Sequence, residues 1–291
     1  MKKPATKFVL GSLLALSLMS IPLAAQEAKK PATLKNTVKQ KLKEGKQVFS
    51  HTISSFDIER YCEEAPHYDF TWFEMQHSTM TWGEIEKMMN ACPHVGAMPF
   101  IRMPDELESS IQKATDLGAI GIIMPTTETP EKAHQTAWYT RYPPVAHRSA
   151  GGGNYGSYWD RSTYRENYNN EVLVVVMIET PQGVANAYDI AMTPGIDVVI
   201  LGNNDLSSFS GLPQADPEYQ RMLEKVRDAT LRAGKIFGNA GAQYREGYTV
   251  SKDSFFFQNG PSNDGWVNPR QRGRNVSAVE GESSLERRRN P

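Results

Sequence analysis

VLVVVMIETPQG (172–183) and VVILGNNDLSSFSG (198–211) are the two stretches whose reading decides the fold. Each opens on an apolar run with no alternation, Leu173-Val174-Val175-Val176 in one and Val198-Val199-Ile200-Leu201 in the other. A strand that reads as apolar on both faces is covered on both sides, as in a parallel sheet packed between helices. Each run then ends in a carboxylate, Glu179 or Asp205, at or just past the strand's C-terminal end. Further candidate strands are Val48–Ser54, Phe70–Met75, Ala97–Arg102, Ile120–Met124, Ile236–Asn239 and Ser254–Gln258.

Between the strands lie stretches with helix-start signals. Asp105-Glu106 opens one that reaches Asp116, Thr129-Pro130-Glu131 another, and Asp216-Pro217-Glu218 a third that ends near Ala233-Gly234. Proline suits a first helical turn and glycine a C-terminal stop. Eight strands alternating with helices predict a (β/α)8 TIM barrel over residues 46–266, with a doubly wound open sheet as the alternative. The eighth helix is weak or missing. After Trp266 the chain is polar and Arg-rich, and 267–291 reads as a disordered tail. Residues 141–170 form a long Gly- and Tyr-rich connection that suits an ordered active-site loop or a subunit contact.

The chain has 291 residues, 39% hydrophobic, with 32 basic and 33 acidic residues. That length suits one large barrel, and the balanced charge points to neither a nucleic-acid partner nor an anionic membrane surface. Lys2, Lys3 and Lys7 precede an apolar stretch from Phe8 to Ala25 that contains Pro22 and closes on Leu23-Ala24-Ala25. This reads as a signal peptide over 1–25 cleaved before Gln26, which implies a periplasmic or secreted protein with no membrane attachment afterwards; an uncleaved anchor is the alternative. Residues 26–45 read as a polar N-terminal arm or a first helix outside the core. Cys62 and Cys92 permit one disulfide in an oxidising compartment, the alternative being two buried thiols. Neither lies in a Cys/His cluster, so zinc is not indicated.

Barrel enzymes carry their sites at the C-terminal ends of strands. That rule collects His77, Arg102, Pro125 with Thr126, Glu179 and Asp205 on one face. Glu179 and Asp205 suit a hard divalent cation such as Mg²⁺ or Mn²⁺, with Co²⁺ also admissible; as acids at helix starts they would instead complement the helix dipole. Arg102 offers a permanently charged planar donor for a carboxylate or an enolate, or else a salt bridge at the barrel rim. His77 suits a general base whose ring Glu74 would orient, or a structural histidine. Gly202, Asn204 and Asp205 open a helix whose amides suit a substrate carboxylate. His147 and Arg148 belong to the long connection, more naturally at the surface or against a neighbour than in the pocket.

At these residues the sequence resembles the HpcH/HpaI class of metal-dependent pyruvate aldolases, which includes enzymes that cleave 2-keto-3-deoxy sugar acids. The resemblance covers about residues 46–260. It rests on EMQHS (74–78), FIRMPD (100–105), IIMPTTETPEKA (122–133), RYPP (141–144), IETPQGVAN (178–186) and GIDVVILGNNDLSSFSG (195–211). The resemblance implies a class II aldolase that cleaves a 4-hydroxy-2-oxo acid to pyruvate, or a related 2-oxo acid, and an aldehyde. It implies metal ligation by Glu179 and Asp205, enolate binding by Arg102, acid–base work by His77 with Glu74, and carboxylate binding by the amides around Asn204 and Asp205. It also implies a homo-oligomer. The chain departs from the family at Glu74 and Gln76, where an Asp-x-Glu pattern is usual, and at Met177, where glutamine is common. Ala146 and Ser149 replace glycines beside Arg148. Two other readings remain: an exported oxo-acid-binding protein that has lost turnover, and an acyl-CoA lyase of the citrate-lyase branch, which export disfavours.

Overall fold

The computed structural model of the chain describes residues 33–93, 95–151, 153, 155, 159–240 and 248–267. The signal-peptide reading of 1–25 and the tail reading of 268–291 concern residues outside these. Eight strands close into a parallel barrel in sequence order: β1 (Val48–Ile53), β2 (Phe70–Glu74), β3 (Met98–Arg102), β4 (Gly121–Met124), β5 (Leu173–Ile178), β6 (Val198–Leu201), β7 (Ile236–Asn239) and β8 (Phe257–Asn259). The expected (β/α)8 barrel is therefore the observed one, and the open sheet is excluded because β1 pairs with β8. Every residue of β2 through β6 is buried, as strands covered on both faces require. No helix among the described residues is long and apolar enough to cross a membrane.

Inside the barrel, Phe70, Phe100 and Phe257 form an aromatic layer with ring centroids 4.4–5.7 Å apart. The layer closes because Gly121 stands opposite; a Cβ there would lie 1.8 Å from the Phe100 ring. Side chains alternate along a strand, so residues two apart share a face. Trp72 and Glu74 therefore stand in line above Phe70, and Arg102 above Phe100, towards the C-terminal rim.

Helices cover the outside: α1 (Thr37–Lys43), α2 (Ile58–Glu64), α3 (Trp82–Ala91), α4 (Glu108–Asp116), α5 (Pro130–Thr140), α6 (Arg161–Glu171), α7 (Pro181–Ala185), α8 (Ala187–Met192), α9 (Asn203–Ser210) and α10 (Pro217–Arg232). Their starts follow from side-chain caps. Thr129 and Asp216 accept the backbone N–H groups of Lys132 and Glu218, and Thr81 forms a capping box with Glu84. Helix α4 begins at Glu108, later than expected, because Asp105 accepts the Leu107 N–H in a turn of its own.

Several expectations change in detail. Of the arm and the first helix expected over 26–45, the helix is what forms, as α1, and it is packed rather than free: Leu34, Val38 and Leu42, spaced at i, i+4 and i+8, are buried, and the Asn36 side chain donates to the Glu171 carbonyl just before β5. The last strand lies at Phe257–Asn259 rather than Ser254–Gln258, since a short 3-10 turn occupies Lys252–Ser254. The long connection contains α6, which tucks Tyr164 and Tyr168 inward. Arg148 is neither at the surface nor at the pocket. Its buried guanidinium lies 4.3–4.4 Å from the rings of Tyr142 and Tyr168 and pairs with Asp116 at 3.1 Å. His147 stacks on Trp138. Among the described residues no helix follows β8. Instead Trp266 stacks on His67, and His67 pairs with Asp264 at 2.7 Å. Cys62 in α2 and Cys92 at the end of α3 are joined as a disulfide.

Candidate active site

Strand register brings the chemistry together. Glu74 and Arg102 are direct partners across β2 and β3, as are Ile178 and Leu201 across β5 and β6. The next residue on each of the latter strands, Glu179 and Gly202, thus meet at the rim. They line a cavity of about 160 Å³ together with Arg102, Met177, Asn203, Asn204, Asp205 and Ala240.

Glu179 is 1% exposed. Its Oε1 accepts two hydrogen bonds from one residue, the Thr126 backbone N–H at 2.7 Å and the Thr126 hydroxyl at 2.8 Å. Its Oε2 is buried with no hydrogen-bond partner. Burial pushes the Glu179 carboxyl above its ordinary value; the Thr126 bonds pull it back, the charge of Asp205 adds to the rise, and Arg102 opposes it. A buried carboxylate oxygen without a donor is costly unless something else satisfies it. Gly202 keeps the approach open: a Cβ there would lie 2.1 Å from Oε2.

Arg102 is buried against the second carboxylate. Its Nε lies 2.8 Å from Glu74 Oε2, a charge contact rather than an aligned hydrogen bond, and its guanidinium sits 5.7 Å from the Trp72 ring centre. Nη1 approaches the Met177 sulfur at 3.9 Å. The Trp72 indole N–H donates to Glu74 Oε2 at 3.3 Å, while Glu74 Oε1 accepts the backbone N–H groups of Gln76 and His77 at 2.7 and 2.9 Å. The expected contact between Glu74 and the His77 ring is therefore not what forms. Glu74 pins the backbone under His77 and holds Arg102, and the His77 ring is exposed above the rim.

The start of α9 is fixed from behind. Asn203 donates to Asn239 Oδ1 at 2.6 Å, and the Tyr219 hydroxyl donates to the Asn203 carbonyl at 3.1 Å. Gln214 Nε2 donates to the Asn203 carbonyl and to Asn204 Oδ1, both at 3.2 Å. The first-turn amides of a helix have no acceptor within the helix and suit an anion. Of the expected site residues, the structure gathers Arg102, Glu179, Gly202, Asn204 and Asp205 around one cavity and places Glu74 behind Arg102. Pro125 is buried at the end of β4 and does not line the cavity; its neighbour Thr126 makes the contact that matters. Thr126 was placed on this face from sequence only as the neighbour of Pro125, with no role, and Trp72 was not singled out. Trp72 stands two residues before Glu74, a spacing that puts both on the barrel's inner face.

Among the described residues no three His, Cys, Asp or Glu side chains stand together as a metal cluster. The site instead offers two carboxylates, enough for a hard divalent cation that completes its shell with water and substrate oxygens. The orphaned Oε2 of Glu179 fits that role.

Fold and site together define a barrel with two carboxylates beside a buried arginine at its C-terminal rim, equipment suited to an enolate-forming lyase. The chain belongs to the HpcH/HpaI aldolase/citrate lyase family, whose model matches residues 60–258. It is accordingly a carbon–carbon lyase of the aldolase type, in a family that is divalent-metal-dependent in general. It is 29% identical over 214 residues to the 2-keto-3-deoxy-L-rhamnonate aldolase of Shigella sonnei, covering 71% of this chain and 79% of that one. It is 35% identical over 147 residues to a hydroxypyruvate/pyruvate aldolase of Chromohalobacter salexigens, covering 48% and 57% respectively. The solved structure of an HpcH/HpaI aldolase/citrate lyase family protein from Burkholderia cenocepacia has the same fold. It superposes with a TM-score of 0.73 at 23% identity, over 84% of this chain and 100% of that one.

Proposed function

We propose that this enzyme reversibly cleaves a 4-hydroxy-2-oxo acid into pyruvate, or a closely related 2-oxo acid, and an aldehyde. The observation that carries the reading is the orphaned Glu179 Oε2 in a cavity shared with Asp205 and Arg102. Glu179 and Asp205 would hold Mg²⁺ or Mn²⁺, with Co²⁺ admissible on the same oxygen chemistry. When bound, such a cation supplies Lewis acidity towards the oxo-acid oxygens.

The residues divide the remaining work. The first-turn amides at Asn203, Asn204 and Asp205 face the substrate carboxylate. Loss of the proton from the C4 hydroxyl lets the C3–C4 bond break, with its electrons moving to the C2 oxygen as an enolate. Arg102 donates to that oxygen, where the charge develops, and Glu74 with Trp72 keeps the guanidinium aimed. The aldehyde leaves, and a proton delivered to C3 completes the methyl group of pyruvate. His77, at the mouth with its amide held by Glu74, is the residue assigned to the proton, directly or through water.

The test is exchange of pyruvate methyl protons with deuterated solvent, followed by NMR. Exchange should require a divalent cation and vanish in Glu179→Ala and Asp205→Ala. Undiminished exchange in either variant rejects the assignment. Tight binding of cation and oxo acid with no exchange would favour the binding-protein reading.

We also infer export. The basic and apolar start of the chain, its small residues before Gln26 and the Cys62–Cys92 bridge support an oxidising compartment; retention in the cytoplasmic fraction, with none in the periplasm or the medium, would reject it. A homo-oligomer is the natural assembly for the exposed apolar side chains of Tyr188 and Met192, one turn apart on α8. A single-chain mass in light scattering would reject that.

A further inference from the structure

We propose that Thr126 is the positioning residue for Glu179: by saturating Oε1 it presents Oε2 alone to the cation. The proposal rests on the metal reading of the site and deepens it. Both donors of Thr126, its N–H and its hydroxyl, end on the same carboxylate oxygen, at 2.7 and 2.8 Å. A carboxylate oxygen has two in-plane lone-pair directions, so two donors occupy both and leave nothing for a metal. The other oxygen is buried and has no donor. The carboxylate is thus polarised into one satisfied end and one open end.

The backbone supports a placement specific to this task. Thr126 has φ +45°, and it is the only non-glycine residue with positive φ among the described residues. A β-branched residue in that region is strained and persists only where its surroundings hold it. Glycine or asparagine would sit there more easily, and neither offers a hydroxyl at this point. Register explains how the strain is anchored: the next residue, Thr127, donates its N–H to the Met177 carbonyl at 2.9 Å and its hydroxyl to the Met124 carbonyl at 3.1 Å. The first bond ties the turn after β4 to β5, and the second closes it back onto the end of β4 across Thr126. Gly202 on the opposite side leaves no atom over Oε2. The floor of the site is therefore a three-part cradle of Thr126, Glu179 and Gly202, with a single oxygen facing outward.

The test is calorimetric titration of Mn²⁺ into the full-length, metal-stripped protein, a readout that does not depend on turnover. Thr126→Val keeps the branching and the N–H and loses only the hydroxyl donor. Loss of a hydrogen bond to a charged group predicts Mn²⁺ binding weaker by roughly tenfold to a hundredfold. Thr126→Ser restores the hydroxyl and should bind within about twofold of the wild type, a rescue that a purely structural role for the methyl group would not give. Thr126→Gly removes hydroxyl and strain together; it should melt no lower than the wild type and still bind weakly, which separates affinity from folding. Equal Mn²⁺ affinity in wild type and Thr126→Val overturns the proposal and leaves the metal reading standing. No Mn²⁺ binding by the wild type overturns both.

Discussion

Gly202→Ala tests the site at its tightest point. Gly202 has φ −102° and ψ 84°, a conformation open to any residue, so the glycine is needed for space rather than for backbone freedom. The added Cβ would meet Glu179 Oε2 at 2.1 Å and Glu179 Cβ at 2.8 Å. Relief has two routes. The backbone at the start of α9 can shift, which for an overpacked core costs roughly 1–3 kcal/mol. Alternatively Glu179 can swing away, breaking charge-assisted bonds to Thr126 worth roughly 1.5–3 kcal/mol each. The cheaper route sets the penalty at about 1–3 kcal/mol. For a domain of this size that is a melting-point loss of about 2–12 °C. The cation readout is sharper. At a hundredfold excess over its dissociation constant, Mn²⁺ stabilises the wild type by about 2.7 kcal/mol, a rise of roughly 5–11 °C. The variant should show almost none of that rise, because the methyl group occupies the approach to Oε2. Thermal unfolding with and without Mn²⁺ reads both numbers. Combining Glu179→Ala with Gly202→Ala should recover most of the intrinsic penalty, since the two side chains are what clash. Gly202→Ala melting at the wild-type temperature with a wild-type Mn²⁺ shift would refute the geometry.

Two further outcomes follow from particular residues. Burial holds the Glu179 carboxyl above its ordinary value, so in the metal-free protein the native state keeps its proton more tightly than the unfolded chain does. Stability then falls as pH rises from the ordinary carboxylate range through the raised native value. Glu179→Gln should flatten that slope in urea unfolding between pH 4 and 8, and an unchanged slope would show that Glu179 does not cause it. The Cys62–Cys92 bridge spans 30 residues; replacing both with serine should cost roughly 3–4 kcal/mol on chain entropy. Because the bridge joins α2 to α3 outside the barrel, Mn²⁺ affinity of the surviving folded protein should stay within about twofold, and calorimetry checks this.

The fold was readable where burial is two-sided. β6 and β7 run between the residues expected from sequence, and the rule that sites lie past strand ends picked out Arg102, Glu179 and Asp205, which the fold brings to one cavity. What escaped has physical causes. Helix α6 hides its inner face in two tyrosines, Tyr164 and Tyr168, among polar residues, so hydropathy alone shows no stripe. Arg148 is buried because Tyr142, Tyr164, Tyr168 and Asp116 enclose it, partners up to 32 residues away that no local pattern joins. The stripe of Leu34, Val38 and Leu42 was present in the sequence and masked by the lysines around it. The partner of Glu74 depended on reach. One carboxylate oxygen turns back to the amides of residues 76 and 77 while the other meets Arg102, and sequence adjacency to His77 suggested a different pairing.

That division bears on why the proposed ion at this site is a dication. Glu74, Glu179 and Asp205 set three carboxylates against one guanidinium, Arg102, leaving two net negative charges in and behind a small cavity. Glu74 is neutralised where it stands, by Arg102, the Trp72 N–H and two backbone amides. It therefore contributes position rather than free charge, and the unmet demand falls on Asp205 and on one oxygen of Glu179. A monovalent cation would leave that demand half answered, and a further arginine would fill the space the substrate needs. A compact dication cancels the charge with a single atom and keeps coordination positions open for oxo-acid oxygens. In the proposed reaction the substrate's own carboxylate would arrive as an additional anion, and the amides at the start of α9 would answer it without adding another formal charge. Arg102, held on one side by Glu74, would keep its remaining donors for the oxygen on which charge appears only during bond cleavage, where a fixed donor contributes most.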